Sequence, residues 1–434
     1  MSEILTLPRP ARPSRLRRRA WPLATTVLTL VTGLAYSFWW VAVVRHARHP
    51  YWLTPGDLWL TARDAHYVTW GALPYIYGTG TALVALPGMA ITLAPFALLV
   101  AKLGLVESFG PWVVPHSPAW LVYGPVTIIM ACLLLFAGDA WVEDLGIAGW
   151  RRAGFSLAGA MAAWEVAARW GHPEDSLALG LALYCLLDVR HQRWRRAGWL
   201  LGLAACFQPL VVLVVPVVGA AAGWRRLWPL LVRASFLPAC LLTAVLAVDA
   251  GDVIHSFVAQ PNYPDLSQST PWAWLSPDLG HHAIGAGPAR MVALAVAFGL
   301  GWFAWRWRSD WYRLFWIGSC MLATRGVFEA VMVPYYVVPA LFLALLVAWG
   351  RLPWWRAVAA TGLAAGTIVM TSTRGPVLWW WLESVALLAA TVAVCHPLGR
   401  RRRPAAAAVT EAPAEAAVVE ESPGAGRQLV GAGV

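Results

Sequence analysis

Long apolar stretches, separated by short polar or basic segments, occupy most of the chain. They cover about residues 21–44, 82–105, 119–138, 153–169, 176–189, 197–222, 228–249, 289–305, 313–333, 336–349, 355–372 and 377–395. Most of them approach the roughly 17–25 residues with which a helix crosses a hydrocarbon layer of about 30 Å. The pattern predicts an all-α polytopic membrane protein, with about ten to thirteen transmembrane helices between residues 21 and 395. Residues 57–70 instead mix apolar and charged positions, which is typical of an amphipathic helix at a membrane surface.

The composition supports this class and excludes others. Of the 434 residues, 59% are hydrophobic and 13% are charged, whereas soluble domains carry about 25% charged residues. A soluble enzyme, a fibrous protein and a disordered protein are therefore excluded. All six cysteines fall inside apolar stretches, so the sequence predicts neither a disulfide framework nor a zinc site built on cysteine.

The basic residues indicate an orientation. The net charge is +11, from 33 Lys and Arg against 22 Asp and Glu, and the arginines cluster between apolar stretches, as they do in cytoplasmic loops. We therefore expect no nucleic-acid partner. We expect a basic cytoplasmic N-terminus at 1–20, a retained signal-anchor at 21–44, outer loops at about 46–80 and 251–288, and a disordered cytoplasmic tail at 396–434.

If successive apolar stretches cross the membrane in alternating directions, the sides predicted from the arginine clusters disagree at two places. Residues 197–224 lie between two arginine clusters that both favour the cytoplasm, and residues 81–150 leave the following helices on the wrong side. A helix pair broken at Gln208 and Pro209 would restore the first, and a similar break near Pro87 and Pro95 the second.

Ionisable and other polar side chains gather on the predicted outer side in four groups. They are Asp57, Asp64, His66 and Tyr67; His172, Glu174 and Asp175; Asn262, Asp265, Asp278, His281 and His282; and Arg325, Glu329, Tyr335 and Tyr336. Such groups are costly near a bilayer, so each is a candidate for function.

Several of these residues have a structural reading beside the functional one. Arg325 and Glu329 are four residues apart on one helical face, where they would form an internal ion pair; alternatively, Arg325 faces a phosphate. Asp175 or Ser176 would cap the helix that follows. Trp272 and Trp274 would stack on a sugar ring or belong to an interfacial aromatic belt.

The sequence contains no signature of nucleotide-driven or metal chemistry. There is no GxxxxGK[ST] segment, no HExxH and no CxxC, so we predict no cofactor and no metal. His172, His281 and His282 are of a residue type that binds zinc, but they form none of these motifs. A secondary transporter would hold its charges near the midplane. Here the charges lie at the outer ends of helices, which indicates chemistry at the outer surface.

Three short motifs carry a resemblance to a known family. They are Asp57-Leu58 followed by Gly71 and Pro74-Tyr75; Gly171-His172-Pro173-Glu174-Asp175 followed by Ala-Gly-x-x-x-Gly-Leu-Ala and Gln208-Pro209; and the segment with Arg325, Glu329, Tyr335 and Tyr336. Over about residues 20–395 the chain resembles the polyprenol-phosphate-sugar-dependent glycosyltransferases of the GT-C fold, and most closely the actinobacterial mannosyltransferase-like membrane proteins. It departs from them at Leu60-Thr61, where the family has Val-Tyr.

The resemblance implies an enzyme of the plasma membrane with its active site on the extracytoplasmic face. It implies transfer of a sugar, mannose first, from a polyprenyl-phosphate donor to a lipid or glycan acceptor. The residues that it implies are Asp57 as general base with Asp64 in reserve; Arg325, His172, Tyr335 and Tyr336 on the donor; and Glu174, Asp175, Glu329 and Gln208 on the sugar or acceptor. Two other functions stay open, a transporter or flippase of a lipid-linked sugar and a non-catalytic scaffold.

Overall fold

The chain folds almost entirely into helices in the part that the computed structural model describes, which is residues 18–39, 55–78, 83, 85–105, 118–262, 268–280 and 283–397. The α-helices are α1 (Ala20–Trp39), α2 (Gly56–Thr69), α3 (Tyr75–Gly78), α4 (Gly88–Lys102), α5 (Trp120–Ala131), α6 (Leu133–Asp144), α7 (Gly149–Trp164), α8 (Pro173–Arg190), α9 (Trp194–Phe207), α10 (Val215–Ala222), α11 (Trp224–Val248), α12 (Ala250–Ala259), α13 (Ala289–Arg306), α14 (Trp311–Phe328), α15 (Pro334–Arg351), α16 (Trp354–Thr371) and α17 (Val377–Val394). A π-helical turn covers Glu165–Trp170, and 3-10 turns cover Pro209–Val214 and Pro271–Leu275.

The described strands are very short. Strand β1 (Gln268–Ser269) pairs antiparallel with β4 (Val331–Met332), and β2 (Asp278–Gly280) pairs antiparallel with β3 (Ala283–Ile284). The all-α class predicted from the sequence is therefore confirmed for the described residues.

Five described helical segments are long and apolar enough to cross a membrane. They are Ala20–Trp39, Trp120–Asp144, Trp224–Val248, Pro334–Arg351 and Val377–Val394. Gly88–Lys102 and Pro209–Ala222 are apolar but shorter. The larger number of transmembrane helices expected from the sequence stays a prediction.

Helix α15 forms the centre of the bundle. In the segment Pro334–Arg351, 94% of the residues are buried, as expected for a helix that is apolar on all sides. Its Phe342 ring packs edge-on against Phe155 of α7, with ring centroids 5.2 Å apart. Gly138 of α6 and Gly159 of α7 make room for these rings, because a Cβ at either glycine would lie under 3 Å from Phe342. Helices α6, α7 and α15 are thus joined by tightly packed apolar side chains.

Arginines and carboxylates from six helices meet at one end of the bundle, which we call the basic end. Asp139 of α6 binds Arg19 at 2.6 Å and Arg152 at 2.8 Å, which joins α6 to the starts of α1 and α7. Further contacts extend this network to α8, α14 and α15. They are Arg190 with Asp144, Arg151 with the Leu352 carbonyl, and Arg351 with Asp310.

Asp139 is expected to be a major contributor to stability. Its side chain is fully buried between two arginines. Removing one partner of a buried ion pair costs up to about 3–5 kcal/mol, and less here because Glu143 still contacts both arginines. Asp139→Asn should therefore lower the melting temperature of the purified protein by several degrees. The matched control is Glu143→Gln, which contacts the same Arg19 but is partly exposed. Equal melting temperatures for both variants would contradict this assignment.

The helix pair α9 and α10 returns to the end from which it starts. Helix α9 ends at Phe207, and the chain is extended at Gln208 before the 3-10 turn and α10 lead back. The guanidinium of Arg226, just after this pair, lies 5.7 Å from the ring of Trp194, at its start. The break thus lies where the sequence predicts one.

The expected break near Pro87 and Pro95 is wrong in part. Pro87 directly precedes α4, but the helix continues through Pro95 without interruption. The continuous helix packs against α2, and Leu58, Ala62, Leu93 and Ala97 all belong to the same buried core. Because α4 covers it, α2 is also more buried than a helix lying alone on a surface.

Candidate active site at the end opposite the arginine network

Five of the predicted site residues lie in one cluster at the end of the bundle opposite the basic end. They come from the start of α2, from the turn before α8 and its first turn, and from the last turn of α14. We call them the carboxylate–histidine cluster: Asp57, His172, Glu174, Asp175 and Arg325.

His172 links two carboxylates. Its Nε2 lies 3.0 Å from Oδ2 of Asp57, and its Nδ1 lies 2.5 Å from Oε1 of Glu174. The imidazole stacks on the ring of Tyr335, with centroids 3.9 Å apart. Burial acts to lower the pKa of His172, but the charges of Glu174 and Asp57 outweigh it and hold the pKa well above its usual value. His172 is therefore a positively charged bridge at neutral pH, fixed from both edges and one face.

Arg325 is held by one carboxylate and one aromatic ring. Its Nη1 lies 3.2 Å from Oδ1 of Asp175, and its guanidinium lies 3.9 Å from the ring centre of Tyr336. Within the described residues, this is the only hydrogen bond that Arg325 makes, so its other N–H groups remain available to a ligand. The Asp175 carboxylate is 1% exposed and forms no helix cap. The capping role expected for Asp175 or Ser176 is therefore wrong, because Pro173 begins the helix and the buried Asp175 carboxylate faces Arg325 instead.

The local backbone explains how the start of α2 reaches His172. The π-helical turn is held by Glu165, which accepts from Arg169, Trp170 and Ser372. Gly171 then ends this turn at φ +76°, a conformation that glycine adopts without strain. A Cβ on Gly171 would lie 2.7 Å from Cβ and 2.8 Å from N of Leu58. Only glycine therefore allows α2 to approach closely enough for Asp57 to meet His172.

Two tyrosines form the floor of the cluster. Tyr335 and Tyr336 are both buried at the start of α15, with rings edge-to-face at 5.0 Å. The Tyr336 hydroxyl lies 3.5 Å from Oδ1 of Asn262. Asn262, which the sequence placed on the same side without a role, thus joins the edge of the site.

The expected pairing of Arg325 with Glu329 is wrong. Glu329 instead accepts two hydrogen bonds from Nε and one from Nη2 of Arg290, at 2.6–3.1 Å. Glu329 lies just beyond the end of α14 in extended backbone, so the helical spacing on which the pairing rested does not continue to it. This buried pairing leaves Glu329 little freedom to bind sugar. Sequence reasoning missed Arg290, which carries no signal beyond its place at the start of α13.

Other predicted residues lie away from the cluster. No described contact joins Gln208 to the carboxylate–histidine cluster. Trp272 donates from Nε1 to the Val327 carbonyl at 2.8 Å and packs on Phe328 and Trp381, whereas Trp274 is exposed. Trp272 thus has a structural role, and of the two tryptophans only Trp274 has an exposed ring on which a sugar could stack. Asp265, His281, His282 and residues 398–434 of the expected tail lie outside the described residues, as do 1–17 and 40–54.

Asp64 is in a different environment from Asp57. It is buried two turns further along α2 and accepts from the neighbouring Arg63, whose Nη2 lies 3.1 Å away. Burial raises the pKa of Asp64 to about 7, with Arg63 opposing the shift. His66, on the same helix, lies 3.4 Å from the Tyr123 hydroxyl. Asp64 is thus a buried, half-protonated carboxyl at neutral pH, and it makes a poor candidate for an accessible base.

Asp64 also predicts a pH dependence of stability. Because its folded pKa of about 7 exceeds the unfolded value near 4, the folded state binds more protons between these values. The free energy of unfolding should therefore fall as pH rises from about 4 to about 7, by on the order of 3 kcal/mol. Asp64→Asn should remove this part of the slope in thermal unfolding at about pH 5 and about pH 7.5. The exposed Asp278→Asn should leave it unchanged; a slope that survives in Asp64→Asn would refute the assignment.

Comparisons with known proteins leave the function to be inferred from this site. No protein-family model matches the chain, and no curated protein sequence matches it significantly. Among the described residues, no group of three or more His, Cys, Asp or Glu is arranged to hold a metal ion.

Proposed function

We propose that this chain is an integral membrane glycosyltransferase that transfers a sugar from a polyprenyl-phosphate donor to a lipid or glycan hydroxyl. The observation that carries the proposal is the Asp57–His172–Glu174 bridge. A carboxylate with 32% of its side chain exposed is held by a charged imidazole, beside an arginine with unused N–H groups. Together these groups can accept a proton and bind a phosphate at one place.

The membrane placement is part of this proposal. The basic end gathers the arginine clusters, which in membrane proteins lie mostly on the cytoplasmic side. The carboxylate–histidine cluster is at the opposite end, so it would face the outer surface of the plasma membrane. A polyprenyl tail would then stay among the helices while its phosphate and sugar lie at the interface. We therefore propose a GT-C-like bundle, as the resemblance of the sequence implies.

In the proposed reaction, Asp57 accepts the proton of the acceptor hydroxyl. The hydroxyl oxygen bonds to C1 of the sugar while the bond from C1 to the phosphate oxygen breaks, and polyprenyl phosphate leaves with the electron pair. Positioned general bases contribute about 10²–10⁴-fold to such steps. His172 is a positioning residue, because it touches Asp57 and fixes the direction of its carboxylate.

Arg325 would stabilise the departing phosphate. A guanidinium can bind two phosphate oxygens at once, and preorganised cations act most strongly where charge develops. Asp175 and Tyr336 hold Arg325 in place without using all of its donors. Glu174 has one buried carboxylate oxygen, Oε2, without a described partner, which a sugar hydroxyl could satisfy.

The packing of the bundle supports a transferase over a flippase of lipid-linked sugar. Phe155 and Phe342 pack tightly against Gly138 and Gly159 between α6, α7 and α15. This packing leaves no path for a head group between α7 and α15 at this level, and a transferase, which works at one end only, needs none.

Arg325→Lys should separate the donor-binding role from a structural one. Lysine keeps the charge but loses bidentate geometry, so we expect the KM for the donor to rise about tenfold, which corresponds to the loss of about one good hydrogen bond to a charged group. Arg290→Lys, at the neighbouring pair with Glu329, should leave the donor KM unchanged. An unchanged donor KM in Arg325→Lys would remove Arg325 from the donor site.

The class is tested with membranes that contain the protein beside membranes that lack it. Each is incubated with labelled polyprenyl-phosphate mannose, glucose or arabinose, and label is measured in extracted lipid and glycan. The proposal expects protein-dependent transfer from at least one donor, with mannose first. Failure of all three donors would reject it.

A further inference from the structure

Two separate segments present arginines on one surface at the basic end. We call it the arginine surface: Arg193, Arg195, Arg196, Arg225 and Arg226, all exposed. The contact between Arg226 and Trp194 brings the two segments together. Asp188 binds Arg193 and Arg196, at 3.8 and 2.9 Å. Among the described residues, Asp188 is the one carboxylate that pairs with these five arginines, and it contacts two of them.

The helix termini add to this positive charge. The arginine surface lies at the starts of α9 and α11, and a helix N-terminus carries a partial positive charge that disfavours nearby cations. Arginines at two such starts repel one another and both helix dipoles. A bound anion relieves this repulsion. The surface at Gln192–Arg196 is an open, shallow depression.

An apolar strip continues from the arginine surface along the same two helices. Helices α9 and α11 lie side by side, since a Cβ on Gly202 would come within 2.4 Å of the Ala234 carbonyl oxygen. On their outer face, Trp199 and Phe236 are exposed with ring centroids 5.7 Å apart. Only 11% of the residues in the most apolar stretch of α11 are buried. An anionic head with an apolar tail would match both features at once.

We infer that an anionic phospholipid binds here, with its phosphate at Arg195, Arg225 and Arg226 and an acyl chain along Trp199 and Phe236. This rests on the proposed membrane placement and not on the transferase activity. Each arginine near a charged lipid surface contributes about 1 kcal/mol, so removing two of them should weaken binding about thirty-fold.

The test uses the full chain purified in detergent and titrated with phosphatidylglycerol, cardiolipin, phosphatidylcholine or inorganic phosphate. Bound lipid is counted by native mass spectrometry. We expect both anionic lipids to bind in preference to phosphatidylcholine, and inorganic phosphate alone not to compete, because it lacks the chain. The affinity should fall with added salt in the unmodified protein.

The matched variants are Arg195→Gln/Arg225→Gln and Arg306→Gln/Arg308→Gln, because all four arginines are exposed and the second pair lies outside the arginine surface. The first should lose about thirty-fold in affinity for anionic lipid, and the second should keep it. Equal losses, or equal binding of phosphatidylcholine, would overturn the inference. A chain that is monodisperse without detergent would instead refute the membrane placement, so the two failures are distinguishable.

Discussion

Replacing Asp57 by Asn is expected to lower the turnover of sugar transfer by about 10²–10⁴-fold, the contribution of a positioned general base. The amide keeps the size of the side chain but cannot accept the proton of the acceptor hydroxyl. Donor binding should stay within about twofold, because the phosphate is held by Arg325 and not by Asp57. Turnover and donor affinity are measured separately, by single-turnover transfer and by equilibrium binding of the unreacted donor.

Two acids serve as controls for this variant. Asp64→Asn removes the buried carboxyl paired with Arg63, and it should retain turnover because Asp64 does not touch the carboxylate–histidine cluster. Asp278→Asn tests an exposed position. If Asp64→Asn lost turnover and Asp57→Asn kept it, the base would be Asp64. Equal activity of all three variants would leave no role for an acid on α2.

Replacing Gly171 by Ala is expected to abolish the approach of α2 to His172. The new Cβ would lie within 2.8 Å of the Leu58 nitrogen and of Cβ of Pro55, and such overpacking costs about 1–3 kcal/mol. The left-handed backbone at φ +76° adds about 1–2 kcal/mol for a residue with a side chain. The start of α2 should move away, which separates Asp57 from His172. We expect transfer to fall more than tenfold, since a displacement of about 1 Å can cost 10²-fold.

Gly146→Ala is the matched control for this prediction. Gly146 has nearly the same backbone conformation, φ +69°, but nothing lies within 4 Å of its Cβ position. It therefore carries the strain of the left-handed conformation without the collision. Thermal unfolding should show a small loss of stability in Gly146→Ala and a larger one in Gly171→Ala. Similar melting temperatures and similar activities in the two variants would mean that the close approach at Gly171 has no importance.

The convergence of the site residues could be predicted from the sequence. Positive charge between apolar stretches assigned sides, and this assignment put the segments of Asp57, His172 and Arg325 at one end of the helices. The structure brings these three residues into one cluster. The class of helical fold could be predicted for a similar reason, because the length of an apolar stretch is visible in the sequence.

The partners inside the site could not be predicted in the same way. The spacing of four residues predicted an ion pair between Arg325 and Glu329, but the helix ends between them. Arg325 instead pairs with Asp175, and Glu329 pairs with Arg290. Arg290 and Asp175 are distant in sequence from their partners, so only tertiary packing decides these pairs. The same holds for Asp57 and Asp64, which look alike on α2. Their difference arises from contact with His172 in one case and burial beside Arg63 in the other.

The most direct measurement of the central claim uses the purified protein in sealed vesicles with labelled polyprenyl-phosphate mannose and a lipid or glycan acceptor. Transfer of label to the acceptor and movement of labelled donor across the bilayer are followed in the same sample. The transferase predicts protein-dependent transfer with release of one polyprenyl phosphate for each sugar, and no acceleration of donor movement. Accelerated movement of intact donor, with no transfer from mannose, glucose or arabinose donors, would contradict it and identify the chain as a flippase.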